Sequence, residues 1–408
     1  GYTSWTHRLC HNIVYKTDVL EDFGEFFNAN TDKSSSIMFE GGWYDAGDFD
    51  RRPMHLLVVQ HLLSLQEIFP ELPDNFLDLP ESGNGLPDIL DEALFGLKLW
   101  ENLQEEDGGV RSGVESSQHP GFTGCWEDTL SYWTYAKNRF TSYKFATTAA
   151  QAARVLRMYP QVSTALSNAE DLEAKAILAW NWAEAQTELG TTSPVPRSDA
   201  DKLFELNRER MSAAGELFAL TEDVQYQDIF AEHWDTYRGP TYWANVYSFW
   251  GYANADNNNV DLVVQDAVIA RIKNMAGEFS GFLNTNIYRT LVNPGYDIAW
   301  GSGTDALRNV VPQILAYHFE PKQDYINEVA LSADFQLGTN PKGLSWVTGL
   351  GIHYPRYPLQ LNSMYDGIAE PVPGLPVYGP SPREYNANCQ PADNWQCLVY
   401  NNFYPTSA

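Results

Sequence analysis

Apolar residues recur at helical spacing along most of this chain, and that pattern restricts its fold more than any other feature. In residues 141–158 an alanine-rich run brings Phe145, Ala149, Ala152 and Leu156 into register. Residues 170–188 carry Ala176, Trp180 and Ala183, and residues 202–220 carry Met211, Gly215 and Phe218. Residues 228–234, 242–252, 260–275, 305–317 and 323–337 continue the series. Upstream, Pro53 suits the first turn of a helix reaching Phe69, where Pro70 stops it. A second helix opens at Pro87, with Asp88 at the positive end of its dipole and Leu90, Leu94, Leu97 and Trp100 on one face. It stops at Asp107-Gly108-Gly109. Residues 1–40 read as irregular, and alternating strand patterns are scarce. Roughly ten to twelve helices joined by loops predict an all-α chain. No repeat of fixed period is visible.

Between the irregular start and the first helix lies Gly41-Gly42-Trp43-Tyr44-Asp45-Ala46-Gly47-Asp48-Phe49-Asp50, with three carboxylates in its last six residues. Its glycines favour a tight loop, which can aim several carboxylates at one point. Like charges held close need an opposing cation, a positioned water or a shared proton. A calcium loop is the first alternative to test. An EF-hand opened at Asp45 needs an acidic ligand at its third position, Gly at its sixth and Glu at its twelfth. Gly47, Asp50 and Leu56 stand there instead. Asp50 either offers a spare carboxylate to a cation or pairs with Arg51 or Arg52.

Composition narrows the partners. Net charge is −27, from 53 acidic against 26 basic residues, a field that repels nucleic acid and anionic membranes. It attracts cationic substrates, or serves solubility and salt tolerance. Aromatic residues, at 14%, exceed what a core strictly needs and suit sugar-stacking surfaces. No run of about 18 apolar residues exists, so no membrane span is expected. The cysteines are Cys10, Cys125, Cys389 and Cys397, without a Cys-x-x-Cys motif. Cys389 and Cys397 are close enough in sequence to pair, and free thiols fit equally well. Cys10-His11 has no ligand-spaced partner and is not read as a metal site. The start, Gly1-Tyr2-Thr3-Ser4-Trp5, is neither a signal peptide nor an initiator Met, so the chain is read as beginning at an internal point. With few cysteines, this favours the cytoplasm. The sequence gives no oligomeric state.

The stretch from Gly41 to Asp48 resembles the catalytic-base loop of glycoside hydrolase family 9, the endoglucanase-type family, whose members carry Gly-Gly-Trp-(Tyr/His)-Asp-Ala-Gly-Asp. Gly85-Leu86-Pro87-Asp88-Ile89-Leu90-Asp91-Glu92 is similar to a second family motif, read here as fixing a helix and not as chemistry. Leu337-Gly338-Thr339-Asn340-Pro341 and Ser345-Trp346-Val347-Thr348-Gly349-Leu350-Gly351 are similar to two more, and Pro373-Gly374-Leu375 and Gly379-Pro380 echo a last pair. The resemblance implies an (α/α)6 barrel, a helical toroid with long functional loops, built as a single catalytic domain over residues 1–408. It implies inverting hydrolysis of β-1,4-linked sugars, with Asp48 as general base and Asp45 helping to hold the water. In such chemistry a carboxylic acid protonates the leaving oxygen and a carboxylate activates water, about 6.5–9.5 Å apart. Tyr44, in the same loop, is a candidate sugar contact. Trp126 matches a sugar-stacking tryptophan of the family, and Trp300 lies in another cleft segment.

Two departures qualify this. Where family cellulases carry Pro-His-His-Arg, this chain has Pro358-Leu359-Gln360-Leu361, with His353 and Arg356 nearby as substitutes for the lost sugar contacts. The family's general acid is a Glu near the C-terminus, but after Gly379-Pro380 only Glu384 and Asp393 remain, neither in that context. Asn327-Glu328 comes too early and is read as a solvated helix position. A C-terminal tail carrying the acid, and an N-terminal domain, are therefore expected beyond the chain as given. The missing His-His-Arg, the extra Asp50 and the acidic field favour an exo-β-D-glucosaminidase acting on chitosan-type oligosaccharides. The alternatives are an endo-β-1,4-glucanase, or a non-catalytic carbohydrate-binding relative. No cofactor is required; a structural calcium is left open. The expected partner is a β-linked oligosaccharide, with neither nucleic acid nor membrane.

Overall fold

A computed structural model describes residues 9–20, 27–28, 31–45, 49–189, 198–237, 243–292, 307 and 309–377. Contacts divide the chain into two compact units. The first comprises Gly1–Pro120, Asp128–Pro240 and Tyr247–Val268; the second comprises Gly121–Glu127, Thr241–Val246 and Ile269–Ala408.

In the first unit the helices are α1 (His55–Ile68), α2 (Asp88–Leu103), α3 (Arg139–Leu156), α4 (Ser163–Ala185), α5 (Asp199–Thr221), α6 (Val224–Tyr237) and α7 (Trp250–Ala253). Helix α8 spans Leu262–Ser280. The core of this unit is α3, which packs against α1, α4 and α5. Its face of Ala146, Ala149, Ala150, Ala152 and Ala153 is fully buried. Small side chains on several sides let three helices approach one. The helix starts at Asn138, whose side chain accepts the amides of Phe140 and Thr141. Buried Thr147 and Thr148 satisfy their hydroxyls by donating to the carbonyls of Tyr143 and Lys144, at 3.0 and 2.9 Å. Near its end Arg154 bridges Glu67 of α1 and Glu216 of α5, at 2.6 and 2.8 Å. Burial pushes the Glu216 carboxyl up, against the pull of Arg154.

The first forty residues are not wholly irregular. Strands β1 (Ile13–Lys16) and β2 (Ser36–Met38) join β3 (Val114–Ser116) and β4 (Tyr132–Thr134) in one sheet of order β2-β1-β4-β3. The β1–β2 and β3–β4 pairs are antiparallel, while β1 runs parallel to β4 with Tyr15 opposite Trp133. Strands of three or four residues are too short to display an alternation, so the periodicity missed them. Glu105, just beyond α2, ties this sheet to the helix: it lies 3.0 Å from Lys16 Nζ and 2.8 Å from Arg111 Nε.

The second unit contains α9 (Val311–Phe319), α10 (Gln323–Leu337) and α11 (Leu361–Tyr365). Its core gathers Phe335, Trp346 and Val377. The turn at Asn340 is fixed by its side-chain amide, which donates to the carbonyls of Phe335 and Leu344 at 2.7 and 2.8 Å. The Leu-Gly-Thr-Asn-Pro motif thus acts as a helix stop. Glu328 on α10 is half-buried and accepts a hydrogen bond from Ser280 Oγ at 2.7 Å, so it is a link between helices where a solvated position was expected. Among the described residues, no helix is long and apolar enough to cross a membrane.

Glu105 generates a pH test. Burial alone would raise its carboxyl, but hydrogen bonds from Lys16 and Arg111 outweigh it and pull the group from 4.5 down to about 2. A depressed carboxyl contributes stability that is present above its unfolded value and is lost as pH falls through its folded one. Stability should therefore fall between about pH 4.5 and 2 more steeply in the parent than in Glu105→Gln. Urea midpoints across that range read the difference, and parallel curves would contradict it.

Candidate active site

The acidic loop is held from three sides within the first unit. From below, Gly41 and Gly42 take φ of 75° and 79° and lie against α2. A Cβ on Gly41 would sit 2.3 Å from the Phe95 carbonyl oxygen, and one on Gly42 would sit 2.8 Å from the Leu99 side chain. Only glycine fits both the backbone angle and the space. Trp43 then lies over Gly96, where a Cβ would be 2.0 Å from its ring, and donates its indole N–H to Glu92 at 2.8 Å. Helix α2 is itself set by Asp88, whose carboxylate accepts the amides of Asn75, Phe76 and Leu77 and the Ser82 hydroxyl. This agrees with the structural role expected for that motif.

The loop closes on itself through the Asp45 amide, which donates to the Asp50 carbonyl at 3.1 Å. Its outgoing stem is pinned to β3 by two backbone bonds between Arg51 and Val114, both 2.9 Å. The two arginines then diverge. The Arg51 guanidinium lies between the rings of Phe39 and Tyr44, 4.6 and 4.7 Å from their centroids, and burial pulls its pKa down. Arg52 bridges Asp50 Oδ2, at 2.6 Å, and Glu115 on β3. All three side chains of that bridge are buried.

Asp45 remains open to solvent, with its side chain 26% exposed, and His55 Nε2 at the start of α1 stands 3.9 Å from its Oδ1. Beside the stem, His11 packs on Tyr132 at 4.2 Å and lies 3.0 Å from Asp128, which also accepts the Tyr132 hydroxyl. Burial would raise Asp128, but these bonds from His11 and Tyr132 hold it low.

The expected site residues fare differently. Tyr44, Asp45 and Asp50 are brought together in this loop. Tyr44 is half-buried against Arg51 and Phe49, and burial pushes its hydroxyl up. Asp50 forms the ion pair that was one of its two readings, and the partner is Arg52; the pair uses Oδ2, while Oδ1 is buried without a hydrogen-bond partner among the described residues. Asp48, Trp300, Cys389, Cys397, Glu384 and Asp393 lie outside the described residues. In the second unit Trp126 is half-buried over Gly124, His353 is exposed, and Arg356 stacks on Tyr354 at 4.0 Å and pairs with Glu370. Gln360, in the segment that departs from the family pattern, caps α11 by accepting the Ser363 amide. Sequence reasoning missed His55, Glu115 and the His11–Asp128 pair. The available signal for His55 was its place on the first turn of the helix the loop feeds.

Among the described residues, Asp74, Asp88 and Asp91 form the one cluster with three oxygens within 4.8 Å of one another. Asp74 accepts the amides of Gly83 and Gly85, and Asp91 accepts the Asn84 amide. With the bonds to Asp88, the cluster organises the loop before α2.

Residues 6–402 match the model of glycosyl hydrolase family 9, and the chain belongs to that family. Its fold class is all-α, the (α/α)6 barrel of that family, with eleven α-helices among the described residues. A xyloglucan-specific endo-β-1,4-glucanase of Bacteroides ovatus is 26% identical, over 86% of this chain and 62% of that protein. Endoglucanase D of Acetivibrio thermocellus is also 26% identical, over 97% and 64%. The chain thus spans under two thirds of the length of these curated relatives. A solved metagenome-derived family 9 endoglucanase superposes with a TM-score of 0.76 at 29% identity, covering 92% of this chain and 67% of that one.

The Arg52 bridge generates a stability test. Removing the cation leaves two buried carboxylates facing each other unpaired, so Arg52→Met should cost about 3–5 kcal/mol. Chemical denaturation measures it. A loss below about 1 kcal/mol, the range of a surface pair, would mean that the bridge does not hold the stem.

Proposed function

We propose that this chain carries the catalytic site of an inverting endo-β-1,4-glucanase. Asp48 acts as general base on the attacking water, and Asp45 helps to hold that water. One observation carries the reading: a family 9 chain places the Asp45 carboxylate, partly exposed, on a loop locked to α2, β3 and its own stem. Two carboxylates sharing one water can position it while one accepts its proton. The other half of the reaction, protonation of the leaving oxygen, needs a carboxylic acid across the sugar. Hydrolysis of this kind requires no cofactor. Trp126 and Trp300 are proposed as aromatic faces for pyranose rings.

Amino-sugar specificity, the leading expectation from sequence, is the less supported reading. Its spare carboxylate, Asp50, is engaged by Arg52. Relatives of this chain are named for action on glucans, among them xyloglucan and cellulose. Cys10 and Cys125 are each disulfide-bonded, which supports an oxidising compartment over the cytoplasm.

Purified protein assayed on xyloglucan, cello-oligosaccharides and chitosan-oligosaccharides should release reducing ends from the glucans faster. Asp48→Asn should lower turnover by about 10²–10⁴-fold without unfolding the protein. Faster cleavage of chitosan-oligosaccharides would restore the glucosaminidase reading, and an active Asp48→Asn would remove the base assignment.

Stereochemistry gives a separate check. Inversion at a β-linkage releases the α-anomer first, which proton NMR detects before mutarotation. Early β-anomer would point to a covalent intermediate and contradict the proposal.

A further inference from the structure

Asn84-Gly85 is the only Asn-Gly pair in the chain, and both residues are exposed to solvent. Such a pair is chemically labile. The backbone nitrogen that follows an asparagine can attack the side-chain Cγ, and glycine, with no Cβ, leaves the approach open. A bond forms from Gly85 N to Asn84 Cγ while the Cγ–Nδ2 bond breaks. Nδ2 leaves as ammonia, taking with it the proton that Gly85 N gives up. Water then opens the cyclic imide at one of its two carbonyls, giving isoaspartate or aspartate at position 84. Two conditions must be met: Gly85 N must lose its proton, and Asn84 Cγ must turn onto it. The fold opposes both. The Gly85 amide donates to Asp74 Oδ2 at 2.8 Å, beside the Gly83 amide on Asp74 Oδ1 at 2.5 Å. A carboxylate that accepts an N–H holds it by a charge-assisted bond and keeps the proton on nitrogen. The Asn84 side chain is held at both ends: its Oδ1 accepts the Leu86 amide at 2.7 Å, and its Nδ2 donates to Asp91 Oδ1 at 2.9 Å.

We propose that Asn84 is a site of spontaneous deamidation that this loop keeps in check, with Asp74 as the residue that guards it. The inference is independent of the catalytic reading above. When the loop opens locally the check is lifted, and Asn84 converts. The product does not fit back. An aspartate at position 84 puts a fourth carboxylate beside Asp74, Asp88 and Asp91, whose oxygens already lie within 4.8 Å of one another. It also replaces a donor to Asp91 with a repelling charge. The helix dipole favours an anion there, but Asp88 and Asp91 already take up the first turn of α2. Isoaspartate, in addition, lengthens the backbone by one carbon. The damage falls at the start of α2, the helix against which Gly41, Gly42 and Trp43 are packed.

The test holds the parent protein and Asp74→Ala in the same mildly alkaline buffer, with the folding of both checked by circular dichroism. Peptide mapping then counts isoaspartate at position 84 over time. Losing a charged acceptor frees the Gly85 amide, so Asp74→Ala should convert roughly ten- to a hundredfold faster than the parent. If Asp74→Ala does not fold, the parent in sub-denaturing urea takes its place, and conversion should rise in step with hydrogen exchange of the Gly85 amide. Separately, Asn84→Asp should lower the urea midpoint further than Asn84→Ala, because it adds a charge where alanine only removes a bond. Equal conversion in the parent and Asp74→Ala, or conversion in urea that does not follow the Gly85 amide, overturns the guarding role. No isoaspartate at position 84 in any sample overturns the site itself. Asn84→Asp as stable as Asn84→Ala overturns the misfit of the product.

Discussion

The close approach of Gly41-Gly42-Trp43 to α2 is the constraint on which the acidic loop depends. A helix surface is a poor cradle for a loop, since side chains hold other segments away. Here the helix presents Gly96 under an indole ring and the Phe95 carbonyl to the Gly42 amide, at 3.0 Å. The loop presents two glycines in return. The contact is glycine against helix and helix glycine against tryptophan, so neither side has slack. From there position passes outward by short bonds: Asp45 to Asp50 through the backbone, Asp50 to Arg52, Arg52 to Glu115 on β3. Loop geometry is thus inherited from a helix and a strand, which hold a carboxylate better than a free loop can.

The same region concentrates buried charge, which is costly unless paired. Arg51 is buried between aromatic faces and donates to the carbonyls of Phe49 and His11, at 3.2 and 3.5 Å. Arg52 sits between two carboxylates. An apolar stem of equal volume would be as stable or more so, because desolvating ions offsets much of their attraction. What directional bonds add is a single arrangement. A ring and a fork-shaped cation admit few alternative packings, and the loop's outgoing residues are thereby fixed in register with β3. The Glu67–Arg154–Glu216 bridge follows the same pattern away from the loop, joining α1, α3 and α5 through one guanidinium.

Much of this was legible in the sequence, and what was not has physical causes. Helices α3, α5 and α10 were read closely because long apolar registers repeat over several turns. Helix α4 starts earlier than read, since its first turns set only small Ala165 and Ala169 into the buried register, among polar neighbours. The sheet was invisible because its strands are short and its pairing joins segments about a hundred residues apart, as Tyr15 with Trp133. The loop's identity was plain from its residue types, but the partner of Asp50 was not. Two adjacent arginines are indistinguishable in sequence. Aromatic walls at Phe39 and Tyr44 draw one, and Glu115 on a distant strand draws the other. His55 gave only its place on the first turn of the helix the loop feeds, because a lone histidine on a helix face is unremarkable until the carboxylate opposite it is known.

The partner of Asp50 bears on the proposed choice of sugar. Arg52 holds Asp50 Oδ2 at 2.6 Å, and Oδ1 is buried without a hydrogen-bond partner among the described residues, so an ammonium that used Oδ2 would have to displace a guanidinium from a buried pair. Breaking such a pair costs about 3–5 kcal/mol, because one charge is left without its partner. A charge-assisted hydrogen bond to the incoming ammonium returns about 1.5–3 kcal/mol. The exchange runs uphill, and Arg52 would be left with Glu115 alone. A strongly acidic surface does not reverse this, because charges beyond a Debye length of about 8 Å are screened at physiological salt. The net charge of −27 is then better understood as a solvating field than as a guide for cationic substrate. With Asp50 Oδ2 paired inside a buried stem, the described part of the loop gives an amino group less to bind than its run of carboxylates suggests, which is in keeping with the neutral-glucan reading proposed above.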